Sequence, residues 1–280
     1  MHPTLFQIGP LAIRSYGLML SLAFLVGVHL AMRRAGEKGI PSQPILTLSV
    51  VIIVSAILGA RLFYVLFHLP QFTGHPLEII SPFQGGRLVG ISGLIMYGGL
   101  ILAILATIWY TRAKGLPTLK VMDVYAPSIA LGIAITRIGC FLNGCCFGKP
   151  SDLPWAVSFP LHSPAGFTFP GVRLHPTQLY SSLYGLGIFG VLSYLERDEK
   201  PEGTIFWGFL SLYGVARFGV DFLRYYEPSM MPLRSIGLNL TINQFISLAF
   251  LALGLYMILR QPGRIKIKKP IGKVEGAPQR

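Results

Sequence analysis

The sequence predicts an all-α polytopic membrane protein, and three observations carry that prediction. Only 12% of the 280 residues are charged, about half the share of an ordinary soluble domain. Hydrophobic residues make up 52% and the mean hydropathy is +0.59. The apolar residues gather into runs of about 20, the length a helix needs to cross a hydrocarbon core. A net charge of +13 in a soluble chain would suggest nucleic acid. Here the basic residues lie at the ends of the runs, where they anchor helices and attract anionic lipid. No nucleic-acid motif accompanies them, so the expected partner is the lipid bilayer and not nucleic acid.

Seven runs follow in order. Tyr16–Met32 lacks a positively charged start and an Ala-x-Ala site before or after it, and reads as a retained helix. Ile45–Phe67 carries Arg61 near its end, and Ile91–Tyr110 contains Tyr97-Gly98-Gly99-Leu100. Val121–Leu142 holds a single acid, Asp123, and runs into the stretch 136–148, TRIGCFLNGCCFG. Thr177–Leu195 starts behind His175-Pro176, a helix-start pattern. Thr204–Leu223 carries Arg217 and Asp221, and Thr241–Leu259 is the last.

Seven spans place the termini on opposite sides, and Lys and Arg in the connections set the direction. Fifteen of the 24 fall on one side: around Arg33 to Lys38, Arg112 to Lys120, Arg197 to Lys200 and from Arg260 onward. Six lie on the other side, from Arg14 to Arg234. The N-terminus is therefore expected outside and the C-terminus in the cytoplasm. Residues 1–260 form the transmembrane domain, with a small extracytoplasmic cap built from segments 68–90 and 144–176. Both are rich in Pro and Gly, and the second adds Phe and Trp that need burial or the interface. A short strand is expected at Trp155–Phe159. Residues 261–280 read as a basic, disordered cytoplasmic tail.

Chemistry concentrates at the outer ends of these spans. Arg137 closes an almost wholly apolar run, and a cation at bilayer centre costs about 2.5–3.5 kcal/mol on insertion scales. An anion, a water-filled cavity or the headgroup layer would compensate it. By the orientation above, Arg217 reaches the same layer, and two convergent guanidiniums form a bidentate clamp for phosphate or carboxylate. Asp221 at i+4 and Tyr213 at i−4 share the Arg217 face, and Arg224 extends the stripe. Such a stripe must face the bundle interior. Tyr97 beside Gly98 and Gly99 combines a phenol with close backbone approach, a wall or a base once guanidiniums depress its pKa. His175 either enters the cavity or holds a loop carbonyl, and Tyr16 is either a belt aromatic or a site residue. Cys140, Cys145 and Cys146 have no histidine or second Cys-x-x-Cys at metal-binding spacing, so no metal is expected. Small apolar packing, or a disulfide from Cys140 to Cys145 or Cys146, accounts for them.

Taken together, Tyr16-Gly17-Leu18-Met19, Gly59-Ala60-Arg61-Leu62, Tyr97–Leu100, Arg137–Gly148, His175–Tyr180, Arg217–Arg224 and Asn243-Gln244 resemble the prolipoprotein diacylglyceryl transferase family of bacterial inner membranes. The resemblance covers nearly everything before the tail. It implies a multi-pass enzyme without cofactor. Such enzymes move the sn-1,2-diacylglyceryl group of phosphatidylglycerol to the lipobox cysteine thiol of a preprolipoprotein, releasing glycerol phosphate. It implies that Arg137 and Arg217 bind the lipid phosphate and stabilise the leaving group. Asp221 would orient the headgroup and those arginines as part of the catalytic group, and Tyr97 either supplies the base or leaves that role elsewhere. Asn143, Tyr16, Tyr213, Gly98, Gly99, His175 and Arg61 would complete the substrate site. The family often has His where this chain has Tyr97, Asn at Cys140, Glu at Cys145 and Glu at Asp221. The alternative class is a non-enzymatic transporter or lipid-binding protein for anionic headgroups. A transporter would favour inverted repeats, and none is evident.

Overall fold

The computed structural model describes residues 4–8, 11–72, 83–84, 87–88, 95–227, 231 and 240–261. Among them lie α1 (Ser15–Glu37), α2 (Ser42–Phe67), the short α3 (Leu69–Phe72), α4 (Met96–Ala113) and α5 (Thr118–Asn143). The short α6 (Pro164–Thr168), α7 (Thr177–Leu195), α8 (Thr204–Asp221) and α9 (Ile242–Arg260) follow. Two antiparallel hairpins pair β1 (Thr4–Ile8) with β2 (Leu11–Arg14), and β3 (Phe83–Gln84) with β4 (Arg87–Leu88).

Each expected span falls on one helix. Five helices, α1, α2, α4, α5 and α9, are long and apolar enough to cross a membrane. The helices α7 and α8 are less apolar for a local reason. Buried Thr177, Gln178, Ser181 and Ser182 open α7, and α8 carries buried Arg217 and Asp221. Boundaries shift where polar contacts decide them. α1 continues past Met32 to Glu37 because its charged last turn is held: Arg34 and Lys38 both pair with Glu196 beyond α7.

The organising helix is α5. In its most apolar window 44% is buried, against 17% in α1, α2 and α9, and it packs on α1, α7 and α8. Its small face lets neighbours close in: Ala126 and Ala130 meet Ile188 and Leu192 of α7 and Ile205 and Phe209 of α8. The single acid of this span is structural. The Asp123 carboxylate accepts hydrogen bonds from the backbone N–H of Gly203 (2.6 Å) and Phe206 (2.8 Å), capping the positive end of α8.

Helix pairs elsewhere meet through glycine. A Cβ on Gly59 would run into the Gly98 carbonyl, and one on Gly98 would lie 2.5 Å from the Gly59 carbonyl oxygen. A Cβ on Gly99 would stand 2.7 Å from the Ala56 carbonyl. Gly98 and Gly99 thus bring α4 close against α2. Gly214 of α8 and Gly254 of α9 do the same for that pair.

Segment 144–176 folds on its own small core of Phe159, Ala165 and Leu174, flanked by Phe141, Phe147, Val157 and Phe169. The strand expected at Trp155–Phe159 is reduced to one bridge, Val157 to Leu174. Most of segment 68–90 and all but the first residue of the 261–280 tail lie outside the described residues.

Replacing Gly59 by Val should therefore separate α2 from α4 at a cost of about 1–3 kcal/mol, the usual range for overpacking. Thermal unfolding of the purified variant in detergent should shift down by several degrees. An unchanged transition would mean that this contact does not hold the two helices.

Candidate active site

The polar stripe on α8 forms a connected network. Arg217 and Asp221 are both buried, and Nη1 of the arginine lies 3.0 Å from Oδ1 of the acid. That contact has ion-pair distance without hydrogen-bond alignment, so the Nη1 N–H is left without an acceptor. Nη2 donates to the Tyr226 hydroxyl at 2.8 Å, and Tyr226 donates onward to Asp221 at 2.9 Å. Thr241 donates to the other carboxylate oxygen at 3.3 Å. The Asn243 amide donates to Tyr226 at 3.2 Å and its carbonyl oxygen accepts from Tyr97 at 2.6 Å. Burial pushes the Tyr226 phenol up to about 12, so it remains a neutral donor to Asp221. A buried pair braced in this way by Tyr226 and Thr241 is held in one arrangement, with a single Arg217 N–H left over.

Arg137 is built differently. It sits in the last turns of α5, and among the described residues no carboxylate comes within ion-pair distance of it; its nearest polar partner is the Cys140 sulfur at 4.0 Å. The chain then turns at Gly144, whose left-handed φ of 72° closes the helix. The loop beyond is knitted to α7 and α8. Thr177 donates to the Cys146 carbonyl and Gln178 to the Cys145 carbonyl (2.9 and 2.7 Å). Gly148 donates to the His175 carbonyl, and Lys149 to the Leu223 carbonyl. A Cβ on Gly148 would collide with His175 and the Leu223 carbonyl, so glycine is required there. This junction brings Arg224 to the Arg137 loop.

Tyr184 of α7 meets Tyr213 of α8 edge to face at 6.2 Å, and α5, α7 and α8, which carry Arg137, these tyrosines and Arg217, pack on one another. Tyr97 reaches the Arg217 network through Asn243. The Tyr184 hydroxyl and Arg224 Nε are buried without acceptors, as is Nη1 of Arg217. Unmatched N–H and O–H donors at such a site describe the complement of an anion with several oxygens.

The prolipoprotein diacylglyceryl transferase family model matches residues 3–260. The chain belongs to this family. A phosphatidylglycerol–prolipoprotein diacylglyceryl transferase of Clostridium tetani is 34% identical over 257 residues, covering 92% of this chain and 96% of the relative. The protein of the same name in Geobacter sulfurreducens is 34% identical, covering 92% and 94%. That of a Nostoc strain is also 34% identical, covering 90% and 87%.

The residues expected for a transferase site divide into those the fold gathers and those it uses otherwise. Arg137, Arg217, Tyr213, Asp221 and Tyr97 belong to the two groups just described. Tyr16 lies in range of Arg137 and the cysteines. Asn143 lines a polar cavity of about 330 Å³ with Thr4, Arg14, His162 and Pro164. Arg61 is buried at the end of α2, with its guanidinium over the rings of Tyr64 and Phe72 at 5.6 and 5.4 Å. His175 serves the loop junction through its backbone, and its ring meets the Tyr180 hydroxyl at 3.4 Å. Tyr97 donates its proton to Asn243, the opposite of what a base needs. The three thiols are free, and their sulfurs lie within 4.8 Å of one another despite spacing that offers no metal signature. Sequence reasoning missed Tyr226 and Tyr184 altogether. Tyr226 follows the stripe just past the end of α8, where helical periodicity no longer applies.

Tyr226→Phe removes a hydroxyl shared by Arg217, Asp221 and Asn243. Losing one buried hydrogen-bonded group costs about 1–3 kcal/mol, so diacylglyceryl transfer should fall about five-fold or more with the fold intact. Tyr97→Phe, which removes one donor at the margin, should cost less. Equal rates for Tyr226→Phe and the unmodified protein would show that the network does not position Arg217.

Proposed function

We propose that this chain transfers the sn-1,2-diacylglyceryl group of phosphatidylglycerol to the lipobox cysteine thiol of preprolipoproteins, in a bacterial inner membrane crossed seven times. The N-terminus and segment 144–176 face outward in this reading. The observation that carries it is Arg137: a cation at the end of an apolar helix, without a carboxylate among the described residues, beside further unmatched donors. A lipid phosphate supplies the missing charge.

In this reading Arg137 and Arg217 grip the phosphate oxygens, and Arg224 and Tyr184 add donors around them. The substrate sulfur attacks the glyceryl carbon bonded to the phosphate oxygen. A carbon–sulfur bond forms as the carbon–oxygen bond breaks, and the electron pair leaves with glycerol phosphate. The thiol proton ends on that released monoester, so the reaction balances without cofactor. Guanidiniums nearby favour the thiolate over the thiol, as cations do for reactive cysteines generally. They also stabilise charge developing on the departing oxygen. Asp221 holds Arg217 rather than abstracting the proton, since both of its oxygens accept hydrogen bonds. Tyr16, Asn143, Tyr213 and Arg61 would line the path of headgroup and acyl chains.

The test is purified protein with phosphatidylglycerol and a lipobox peptide, read by mass spectrometry for thioether-linked diacylglyceryl. Peptide with its cysteine should be lipidated and a Cys→Ser peptide should not. Arg137→Lys and Arg217→Ala should each lower the rate by about a hundred-fold or more, the scale of losing one preorganised donor to a developing oxyanion. Unmodified peptide from folded, phosphatidylglycerol-supplied protein would refute the proposal.

A further inference from the structure

Cys140 ends on the inner side of the last turn of α5, and Cys145 and Cys146 come back to it from the loop. Cys146 does so in the left-handed region, at φ 59°, the one non-glycine residue found there among the described residues. A side chain in that conformation costs roughly 1–2 kcal/mol. The backbone on either side is fixed: Thr177 and Gln178 hold the Cys146 and Cys145 carbonyls, and the Cys145 thiol donates to the Cys140 carbonyl at 3.7 Å. Three sulfurs are thus presented together on an anchored loop, and none of them is needed as the nucleophile in the proposed transfer.

We infer that Cys140, Cys145 and Cys146 form a three-sulfur site for a soft monovalent cation, Cu⁺ being the ion that fits. Metal–sulfur bonds of about 2.3 Å in a trigonal site put the sulfurs about 4 Å apart, so the present separations close with a shift under an ångström. The ligand set selects the ion. Thiolates without a carboxylate or imidazole in the group favour soft cations. Structural zinc takes four protein ligands, and a fourth is missing among the described residues. Charge balance points the same way. Three thiolates and Cu⁺ carry two negative charges; Arg137 Nη1 lies 4.0 Å from the Cys140 sulfur, and Arg224 is bridged to Gly148, two residues beyond Cys146. Buried charge is tolerated when it is matched in this manner. The inference concerns binding and stands whether or not the transferase chemistry proceeds as proposed.

The probe is Cu⁺ added anaerobically to the purified full chain against a chromogenic Cu⁺ chelator. One ion per chain should be withdrawn from the chelator, with a sulfur-only shell of three scatterers in copper X-ray absorption. Cys140→Ser, Cys145→Ser and Cys146→Ser should each weaken binding by at least about ten-fold, since each removes a ligand. Thermal unfolding of each apo variant separates a lost ligand from a lost fold. Alkylation of the denatured apo protein should count three thiols, and Cu⁺ bound beforehand should slow alkylation of the folded protein. Binding that survives all three substitutions, a shell with nitrogen or oxygen, or equal preference for Zn²⁺ would overturn the assignment. A single thiol in the denatured protein, which means that the other two are joined as a disulfide, would overturn it as well.

Discussion

A guanidinium with no carboxylate beside it among the described residues is the constraint on which this structure turns. Arg137 stands at the end of the most buried helix, where a lone cation is costly. Arg217, by contrast, is neutralised within its own helix by Asp221 and braced by Tyr226. The two arginines therefore have different electrostatic standing although they surround the same tyrosines. One is a fixed, compensated donor with a spare N–H. The other is a charge whose compensation must come from elsewhere. A ligand with a diffuse negative charge and several oxygens relieves both conditions at once, and a phosphodiester headgroup has those properties.

The scaffold is arranged to hold that asymmetry in place. Small residues on α5 and paired glycines at the α2–α4 and α8–α9 contacts let backbones approach closely, as membrane helices do where no hydrophobic drive separates helix from lipid. Close approach fixes rotation about each helix axis, and rotation decides which way an arginine points. At the opposite end, Asp123 caps α8 and Glu196 collects Arg34 and Lys38. Those contacts tie together the far ends of α1, α7 and α8.

Much of this was legible in the residues. The apolar runs located all seven long helices, because the length requirement for a span is set by bilayer thickness and by little else. The i, i+4 relation of Arg217 and Asp221 was readable because it is a property of one helix. What escaped was everything that depends on two elements meeting. That Gly98 meets a facing glycine on α2 was not readable from the pair of glycines alone. Tyr226 lies beyond the helix end, where no period predicts direction, and only the fold aims it back at Asp221. The cysteines carried no recognisable spacing because one of them uses a left-handed backbone to turn inward.

The departures from the family's usual residues bear on the same constraint. The family resemblance leads one to expect Glu at position 145 and Asn at position 140, and this chain has cysteine at both. A carboxylate at position 145 would offset part of the charge of Arg137. Sulfur in the thiol form does not. The same substitution makes the loop a collection of thiols that cations can hold as thiolates. In the proposed copper-bound state, a thiolate cluster and a phosphate would draw on the same guanidiniums. Because Arg217 keeps its own carboxylate in either state, the competition is confined to Arg137 and Arg224, and the α8 network persists whichever anion wins.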